Sequence, residues 1–318
     1  MMEVDLPIGI VSPVSVLRDE ESVSPFDAVD VSLLLGGPLR AEVDAHCEAS
    51  VRGNQESAGG RLDNCPAGSI AITPRMRATL CGWMVEVCQE FSLHQETLFL
   101  SIHLTDRFLA RQSGVKKHQL QLVGTACLFI AAKQEEVTFP GLTAFVDIAN
   151  NSFSRNELAL MEVRVLHVLE FKIAAPTVCV FLSYLIHGLG MKRKAAALAT
   201  YLLELSVVEC CTIQHPPSTA AVAAVVVAGC VADSAAIRSV LKGLCGSVPD
   251  SLQKCLVTLV QLYDKAYYEE DPLHYFHVLR EKYCEPERES VAIESLPTEM
   301  ETFVISRWMS MVHSGLET

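Results

Sequence analysis

Apolar residues between positions 74 and 175 recur at intervals of three and four, the pattern of amphipathic α-helices. The clearest run places Met76, Leu80, Trp83, Val87 and Phe91 on one helical face. A later stretch is apolar on almost every side, so other helices must enclose it. The pattern predicts five helices in this part of the chain, at about 74–91, 95–109 and 119–133, a short one ending near 148, and one beginning after Ser154.

Local signals mark where several helices begin. Ser154 and Glu157 have the spacing of a capping box, in which the Ser hydroxyl accepts from a free amide and the Glu side chain reaches back. Pro140 and Gly141 break the chain before the short helix. Pro217 suits a helix start, where the missing amide costs nothing.

The helical pattern resumes after Pro176. Residues 220–232 form the longest apolar stretch, about 13 residues, whereas a membrane-spanning helix needs roughly 18. We therefore expect a buried core helix and no membrane partner. No segment is rich in strand-forming residues, so the predicted fold class is all-α. The predicted helices are 178–189, 192–208, 218–232, 235–244, 251–269 and 273–283.

Residues 1–70 differ from the rest of the chain in charge. They hold 12 acidic and four basic residues, so 8 of the 13 net negative charges lie there. Gly, Ser, Pro and Asn are frequent between 51 and 69, which indicates a mobile acidic leader with one short helix at 39–50. The predicted organisation is a leader at 1–70, helical units at 71–175 and 176–285, and a tail at 286–318.

Composition excludes several classes of function. A net charge of −13 argues against a nucleic-acid surface, whose affinity comes largely from neutralising phosphates. The 12 cysteines are scattered without a CxxC motif, so we expect reduced, buried thiols and no zinc. Phosphate-binding Gly-rich loops, GxSxG and HExxH are absent, so neither catalysis nor a cofactor is predicted. The neighbouring Glu135 and Glu136 are expected to form a solvated helix end.

Two charged residues stand out because their surroundings are apolar. Glu162 lies three, four or seven residues from Leu158, Val165, Leu166 and Leu169, inside an apolar stripe. An unpaired carboxylate there would cost several kcal/mol. Lys133 ends the most apolar predicted helix and is the candidate partner. The residues alone leave two alternatives open, an internal salt bridge and a pair presented to a binding partner.

A series of short motifs runs along the chain, most of them in the first helical unit and a few in the second. In the first unit they are Met76-Arg-Ala-Thr-Leu80-Cys-Gly-Trp83-Met-Val-Glu86-Val, Glu96-Thr-Leu98, Asp106-Arg107-Phe-Leu109, Leu120-Gln121-Leu-Val-Gly124-Thr, Ala132-Lys133-Gln-Glu135-Glu136, Met161-Glu162 and Ala175-Pro176-Thr177. In the second they are Leu205-Ser206, Pro217-Ser218 and Arg280-Glu-Lys-Tyr283. This series resembles the cyclin box of A- and B-type cyclins over about 76–190, and more weakly beyond. The resemblance implies two tandem five-helix cyclin folds behind the leader.

The resemblance also implies a function. A cyclin has no catalytic chemistry; it binds a cyclin-dependent Ser/Thr kinase and repositions the kinase's C-helix and activation segment. We therefore expect a regulatory subunit of a protein kinase in cell-cycle control, located in the nucleus and/or cytoplasm. The family's buried Lys and Glu, which contact the kinase backbone, match Lys133 and Glu162 and favour the second alternative for that pair. The adjacent apolar contacts match Ile130, Leu166, Phe171 and Ile173.

The family also carries a shallow groove that docks Arg-x-Leu segments of substrates and inhibitors. It matches Met76, Thr79, Leu80, Trp83, Glu86, Leu120 and Gln121. Met76, Leu80 and Trp83 equally fit core positions at helical spacing. Glu86 is the informative member, because its carboxylate can pair with the arginine of a docked peptide.

Several positions depart from the A/B pattern. Thr79 replaces an apolar residue, which should weaken the leucine pocket, and Gln134 replaces an aromatic residue that packs on the kinase. The leader contains neither an Arg-x-x-Leu nor a Lys-Glu-Asn degron. Gln134, Phe153-Ser-Arg155 and Leu166-His167 are similar to a cyclin O-like subfamily. The alternatives to a typical cyclin are therefore an atypical, cyclin O-like protein and a cyclin-fold scaffold without a kinase, serving transcription or peptide binding.

Overall fold

The computed structural model describes residues 72–112, 114–209, 215–232, 240, 249–269, 274–292 and 306, and in these residues the chain contains helices but no strand. The all-α prediction is confirmed, and each described helix begins and ends close to its predicted bounds. The acidic leader and the predicted helix at 39–50 lie outside the described residues, as does the predicted helix at 235–244 apart from Val240. The α-helices are α1 (Pro74–Glu90), α2 (Gln95–Arg111), α3 (Leu120–Glu135), α4 (Leu142–Ile148), α5 (Arg155–Val168), α6 (Val178–Leu189), α7 (Arg193–Glu209), α8 (Pro217–Ala232), α9 (Asp250–Tyr267) and α10 (Tyr275–Cys284).

Helix starts follow the local signals in the sequence. At α5 the Ser154 hydroxyl accepts from the Glu157 amide at 3.2 Å, and the Glu157 carboxylate accepts from the Ser154 amide at 2.8 Å. The predicted capping box is therefore confirmed. At α1 the Thr73 hydroxyl accepts from the Met76 amide, with Pro74 at the first helical position.

One helix is central to each unit. In the first unit α3 packs against α1, α2 and α5, and in the second α8 packs against α6, α7 and α9. Every α8 residue from Ser218 to Cys230 is buried, which confirms the predicted core helix. No helix in the described part of the chain has both the length and the apolar character to cross a membrane.

Helix α10 joins the two units, a role that its amphipathic pattern did not reveal. It follows the second unit in sequence, yet it packs against α1 as well as α7. Gly82 permits the close contact with α1, because a Cβ atom at Gly82 would lie 2.9 Å from the Tyr275 Cβ.

A buried carboxylate fixes α10 at this junction. Glu204 on α7 accepts from the Lys282 ammonium at 2.8 Å, from the Tyr283 hydroxyl at 2.9 Å and from the Gln95 side-chain amide at 2.9 Å. The Glu204 side chain is fully buried, and only 6% of the Lys282 side chain is exposed. Because Gln95 opens α2, this one carboxylate connects three helices from both units.

Arg77 makes a second connection between the units. Its guanidinium donates two 2.7 Å hydrogen bonds to the Asp106 carboxylate on α2. It also donates to the carbonyls of Val207 and Val208, at 2.9 and 2.7 Å, in the last turn of α7. A cation at a helix C-terminus satisfies carbonyls that have no partner within the helix.

The interpretation of Glu135 and Glu136 as a solvated helix end was wrong for Glu136. Its side chain is buried and accepts from the His94 amide at 2.7 Å and from the Thr97 hydroxyl at 2.5 Å. These groups open α2, whose N-cap residue His94 supplies no side-chain cap of its own. The carboxylate at the end of α3 therefore serves as the N-terminal cap of α2.

The prediction that the cysteines are buried is confirmed for most of those that the structure describes. Six of the seven described cysteines are buried, and Cys284 is half-buried. Burial raises the pKa of Cys81 to about 11 and of Cys88 and Cys127 to about 12. These thiols are therefore protonated at neutral pH and act as apolar core side chains.

The Lys282→Met variant should show how strongly the buried ion pair holds the fold. Removing the cation leaves Glu204 buried without its charge partner, which costs about 3–5 kcal/mol. The free energy of unfolding from urea titration at pH 7 measures this loss. Lys172→Met is the matched control, because Lys172 and Glu170 form a solvent-exposed pair that contributes little to stability. Equal losses in the two variants would contradict the assignment.

The Gly82→Ala variant should test the contact between α1 and α10. Alanine favours a helix interior over glycine by about 1 kcal/mol, but here the new methyl group would meet the Tyr275 Cβ. We expect a net destabilisation of about 1–3 kcal/mol from overpacking. Gly141→Ala is the control, because its Cβ would meet nothing within 4 Å. Thermal unfolding gives the melting temperature of each variant. An increased melting temperature for Gly82→Ala would show that α10 can shift away from α1 at little cost.

Candidate partner-binding surfaces

The structure pairs the two charged residues that the sequence singled out. The Lys133 ammonium, in the last turn of α3, donates to the Glu162 Oε1 on α5. The exposed fractions of the two side chains are 34% and 16%. The pair therefore lies at the edge of the first unit's core and is neither enclosed nor fully solvated.

Aromatic residues fix the position of the Lys133 amine. Its nitrogen lies 4.4 Å from the centre of the Phe129 ring, one turn earlier on α3. Phe139 contacts the edge of Phe129 with the ring centres 6.2 Å apart. A cation over an aromatic face is held by the ring's negative quadrupole. Phe129 and Glu162 together restrict the amine to one location.

An exposed and largely apolar strip lies on another face of α5 and is formed by Leu160, Val163, His167 and Phe171. The first three are at helical spacing on α5, where Leu160 is 69% exposed and Val163 is 51% exposed. The strip continues past the end of α5, because Phe171 is 61% exposed and its ring meets that of His167 at 5.5 Å. Among the described residues, five of the eight exposed large apolar side chains lie between positions 137 and 171.

The structure gathers most of the predicted kinase-contacting residues here. Leu166 is half-buried and lies one turn after Glu162, and its carbonyl accepts from the Phe171 amide at 2.9 Å. Ile173 follows and is half-buried. Ile130 departs from the prediction, because it is 2% exposed and packs in the core. It has no free surface with which to touch a partner, since its helix face points inward.

Sequence reasoning missed Leu160, Val163 and His167. The available signal was that α5 is apolar on more than one face, which a helix with a single buried side does not need. The exposed Val137 and Phe139, just after α3, were also missed. In the sequence, the exposed Gln134 lies between Lys133 and these two exposed apolar residues.

The residues of the predicted docking groove differ in their solvent exposure. Leu80 and Leu120 are each 6% exposed, and Leu80 packs so closely on α3 that a Cβ at Gly124 would lie 2.8 Å from it. These two residues were expected to contact a peptide, but helix packing covers them. Met76, Trp83 and Gln121 are half-buried, and Thr79 and Glu86 are exposed.

A groove of about 530 Å³ opens between α1 and α4. From α1, Trp83, Glu86 and Glu90 line it, followed by the C-cap residue Phe91, and α4 contributes Asp147 and Ile148. The groove therefore contains two of the predicted docking residues, but its second wall is α4. It combines an apolar interior with three carboxylates.

Burial and a neighbouring carboxylate from α10 leave the Glu86 carboxylate in an unfavourable environment. Partial burial raises the pKa of Glu86, and the nearby carboxylate of Glu281 on α10 raises it further. A cationic side chain near Glu86 would relieve this repulsion. Within the described part of the chain, no group of three metal-binding side chains is close enough to hold an ion.

Comparison with known proteins gives the family. Residues 54–174 match the cyclin N-terminal domain, and residues 176–297 match the cyclin C-terminal domain. The chain is 35% identical over 234 residues to Cyclin-A2 of Xenopus laevis, covering 73% of this chain and 55% of that protein. It is 37% identical over 198 residues to Cyclin-B2-1 of Arabidopsis thaliana, covering 62% and 46%. The chain thus spans about half the length of the curated relatives it matches.

Solved structures support the same fold. A viral cyclin from herpesvirus saimiri matches with a TM-score of 0.54 at 17% identity, over 70% of this chain and 96% of that one. A chain of the yeast RNA Pol II CTD kinase CTDK-1 complex matches with a TM-score of 0.52 at 14% identity, over 83% and 81%. Two consecutive domain matches, A- and B-type relatives and two packed helical units agree: the chain belongs to the cyclin family.

Proposed function

We propose that this cyclin is a regulatory subunit that binds and activates a cyclin-dependent Ser/Thr kinase in cell-cycle control, in the nucleus and/or cytoplasm. Cyclins are regulatory subunits of kinases and not enzymes themselves. The observation that carries the proposal is the partly exposed Lys133–Glu162 pair, in a helical unit that also presents an exposed apolar strip. Contact between such an apolar strip and water is unfavourable, and an exposed apolar patch of this kind is typical of a protein-binding surface.

The exposure of the pair favours an interface over an internal bridge. Where water reaches an ion pair, it contributes only about 0–1 kcal/mol to stability. An ammonium group has three donors, and in the described residues Lys133 uses one of them on Glu162. The others can reach backbone carbonyls of a partner, as the resemblance implies for a kinase. A partner that covered the pair would remove water from it and strengthen these bonds.

Activation in this proposal is a population shift. The cyclin contributes no reacting group, so it acts only by binding one conformation of the kinase more tightly than another. The strip and the pair lie on α3 and α5, which pack tightly on each other. A rigid surface of this kind binds the kinase conformation whose helix fits it, and phosphoryl transfer then proceeds with the kinase's own residues.

The Lys133→Ala and Glu162→Ala variants should each weaken kinase binding at least roughly thirtyfold. Losing one partner of a desolvated pair costs about 2–5 kcal/mol, partly because the other charge remains unpaired. Co-purification with a panel of cyclin-dependent kinases identifies the partner, and titration with histone phosphorylation as the readout measures affinity. Arg193→Ala is the control, because its exposed pair with Glu289 lies in the second unit.

Thermal unfolding of the free variants distinguishes the alternatives. An internal bridge predicts a lower melting temperature with kinase affinity nearly intact, and that result would overturn the interface. Failure of the unmodified chain to co-purify with any kinase in the panel would favour the scaffold alternative.

We further propose that α1 docks Arg-x-Leu segments of substrates or inhibitors. Glu86 and Trp83 share one groove, and the Thr79 side chain is exposed one turn before Trp83. The Thr79 hydroxyl donates to the Arg75 carbonyl at 2.9 Å, so its one donor is already used within α1. A peptide leucine would therefore meet mainly the methyl group of Thr79.

Variants of Trp83 and Thr79 should change docking in opposite directions. Trp83→Ala should reduce phosphorylation of Arg-x-Leu substrates while sparing short peptides that lack the motif. Thr79→Ile should strengthen docking, because added buried methylene surface contributes about 0.8 kcal/mol per group. Fluorescence polarisation with an Arg-x-Leu peptide measures both effects. Unchanged affinity in both variants would exclude this groove as the docking site.

A further inference from the structure

Charge is distributed unevenly within the first helical unit. Residues 72–175 hold ten basic and ten acidic residues, so this part of the chain is neutral as a whole. Seven of the ten basic residues lie where α1 begins, α2 ends and α3 begins, against two of the acidic ones. We call this region the basic end; its cations are Arg75, Arg77, Arg107, Arg111, Lys116, Lys117 and Lys172, and its carboxylates are Asp106 and Glu170.

Contacts with the segment after α5 hold part of the basic end together. Arg107, near the end of α2, donates to the Lys172 carbonyl at 2.7 Å. The Lys172 ammonium donates to the Glu170 carboxylate at 2.7 Å, and this bond lowers the pKa of Glu170. The charge of Arg111 lowers that pKa further, so Arg111 lies near the same carboxylate.

Other cations of the basic end have no carboxylate partner in the described part of the chain. Arg75, Lys116 and Lys117 are exposed, and none of them forms an ion pair with a described residue. The two lysines lie in the loop between α2 and α3. A group of exposed cations without counter-charges attracts an acidic segment.

The acidic leader joins the first unit at the basic end. The structure describes the chain from Ile72, and α1 begins at Pro74. Arg77, one turn further, binds the Asp106 carboxylate on α2 through two hydrogen bonds of 2.7 Å. Arg111 follows Asp106 by five residues, which is about 7.5 Å along the helix axis. The leader therefore enters the first unit close to the exposed cations.

One segment of the leader complements these charges. No lysine or arginine occurs between positions 19 and 39, and residues 19–30 contain five carboxylates. These are Asp19, Glu20, Glu21, Asp27 and Asp30. A linker of about 40 residues, such as the one from this segment to α1, spans about 35 Å as a random coil. The segment can therefore reach every cation of the basic end.

We propose that the acidic segment 19–30 of the leader binds the basic end of the first unit, with its carboxylates in contact with Lys116 and Lys117. The tether gives the segment an effective concentration of about a millimolar, so exposed ion pairs of modest strength suffice. A separate acidic partner lacks this advantage and meets a chain whose net charge is −13. Such a partner would have to displace the segment, so the leader limits access to the basic end.

The groove between α1 and α4 is a less suitable place for the same segment. Glu86, Glu90 and Asp147 line that groove and would repel the five carboxylates. Charge therefore directs the leader to the basic end and leaves the groove open.

Carbodiimide cross-linking of the full chain tests the proposal. The reagent joins a carboxylate to an amine in contact with it and inserts no spacer, and mass spectrometry of the digested protein identifies the linked residues. At low ionic strength, Lys116 and Lys117 should be linked to carboxylates of residues 19–30 at least about fivefold more often than Lys254, an exposed lysine of the second unit. Salt at roughly 1 M, where the Debye length is about 3 Å, should remove this excess.

Two comparisons distinguish binding from mere proximity. A tether without binding would favour links from carboxylates closer to α1, such as Glu56 and Asp63, over links from residues 19–30. A mixture of 15N-labelled and unlabelled protein shows whether each link joins one chain or two, and we expect links within one chain.

A charge variant assigns the contact to the basic end. Arg111→Gln removes one cation but keeps both lysines as reporters, so it should reduce their links to residues 19–30 about threefold, the scale of one exposed ion pair. Arg155→Gln is the matched control, because Arg155 is exposed at the start of α5, whereas the basic end lies beyond the end of that helix.

Several results would overturn the inference. These are equal linking of Lys254, a preference for Glu56 and Asp63, links mainly between two chains, or unchanged linking in Arg111→Gln. Kinase binding and peptide docking are proposed for other surfaces and are measured separately, so they do not depend on this result.

Discussion

The buried carboxylate of Glu204 is the interaction on which the arrangement of the two units depends. An ion removed from water must find compensating partners, and Glu204 finds them in Lys282, Tyr283 and Gln95. Two of these residues lie on α10 and the third opens α2. Because these bonds hold α10 in place, Tyr275 of α10 packs against Gly82 of α1. Helix α10 therefore covers one face of α1. The position of α1, and hence of the groove on its other side, depends on this buried charge together with the contacts that Arg77 makes to α2 and α7.

The two candidate surfaces belong to a single rigid unit. The exposed strip lies on α5 and at Phe171, and the groove lies between α1 and α4. Leu80 on α1 packs directly against Gly124 on α3, and α3 packs against α5. A substrate segment held on α1 would therefore have a fixed relation to a kinase held on α5. Such tethering raises the effective concentration of a substrate at an active site without any new catalytic group.

Charge distinguishes the two surfaces in the partners they would accept. The strip is apolar, and the Lys133–Glu162 pair in the same unit is internally neutralised, so affinity at this surface would come from burying apolar area. The groove combines an apolar interior with carboxylates, so it would add charge selectivity to apolar contact. The excess of acidic residues in the chain is consistent with a basic partner and disfavours a nucleic acid.

The sequence by itself determined the features that depend on local physical chemistry. Helical periodicity located the helices, Ser154 and Glu157 determined where α5 begins, and a carboxylate inside an apolar stripe required a cation, which Lys133 supplies. These follow from spacing within one helix or from the cost of an unpaired charge.

Only the tertiary structure decided which neighbour covers each helical face. It buried Ile130, Leu80 and Leu120 under other helices, left Leu160 and Val163 exposed, made Glu136 the cap of α2, and provided α4 as the second wall of the groove. Periodicity shows that a face is apolar, but it carries no information about whether another helix, a partner or water lies against that face. That choice depends on how distant segments pack together.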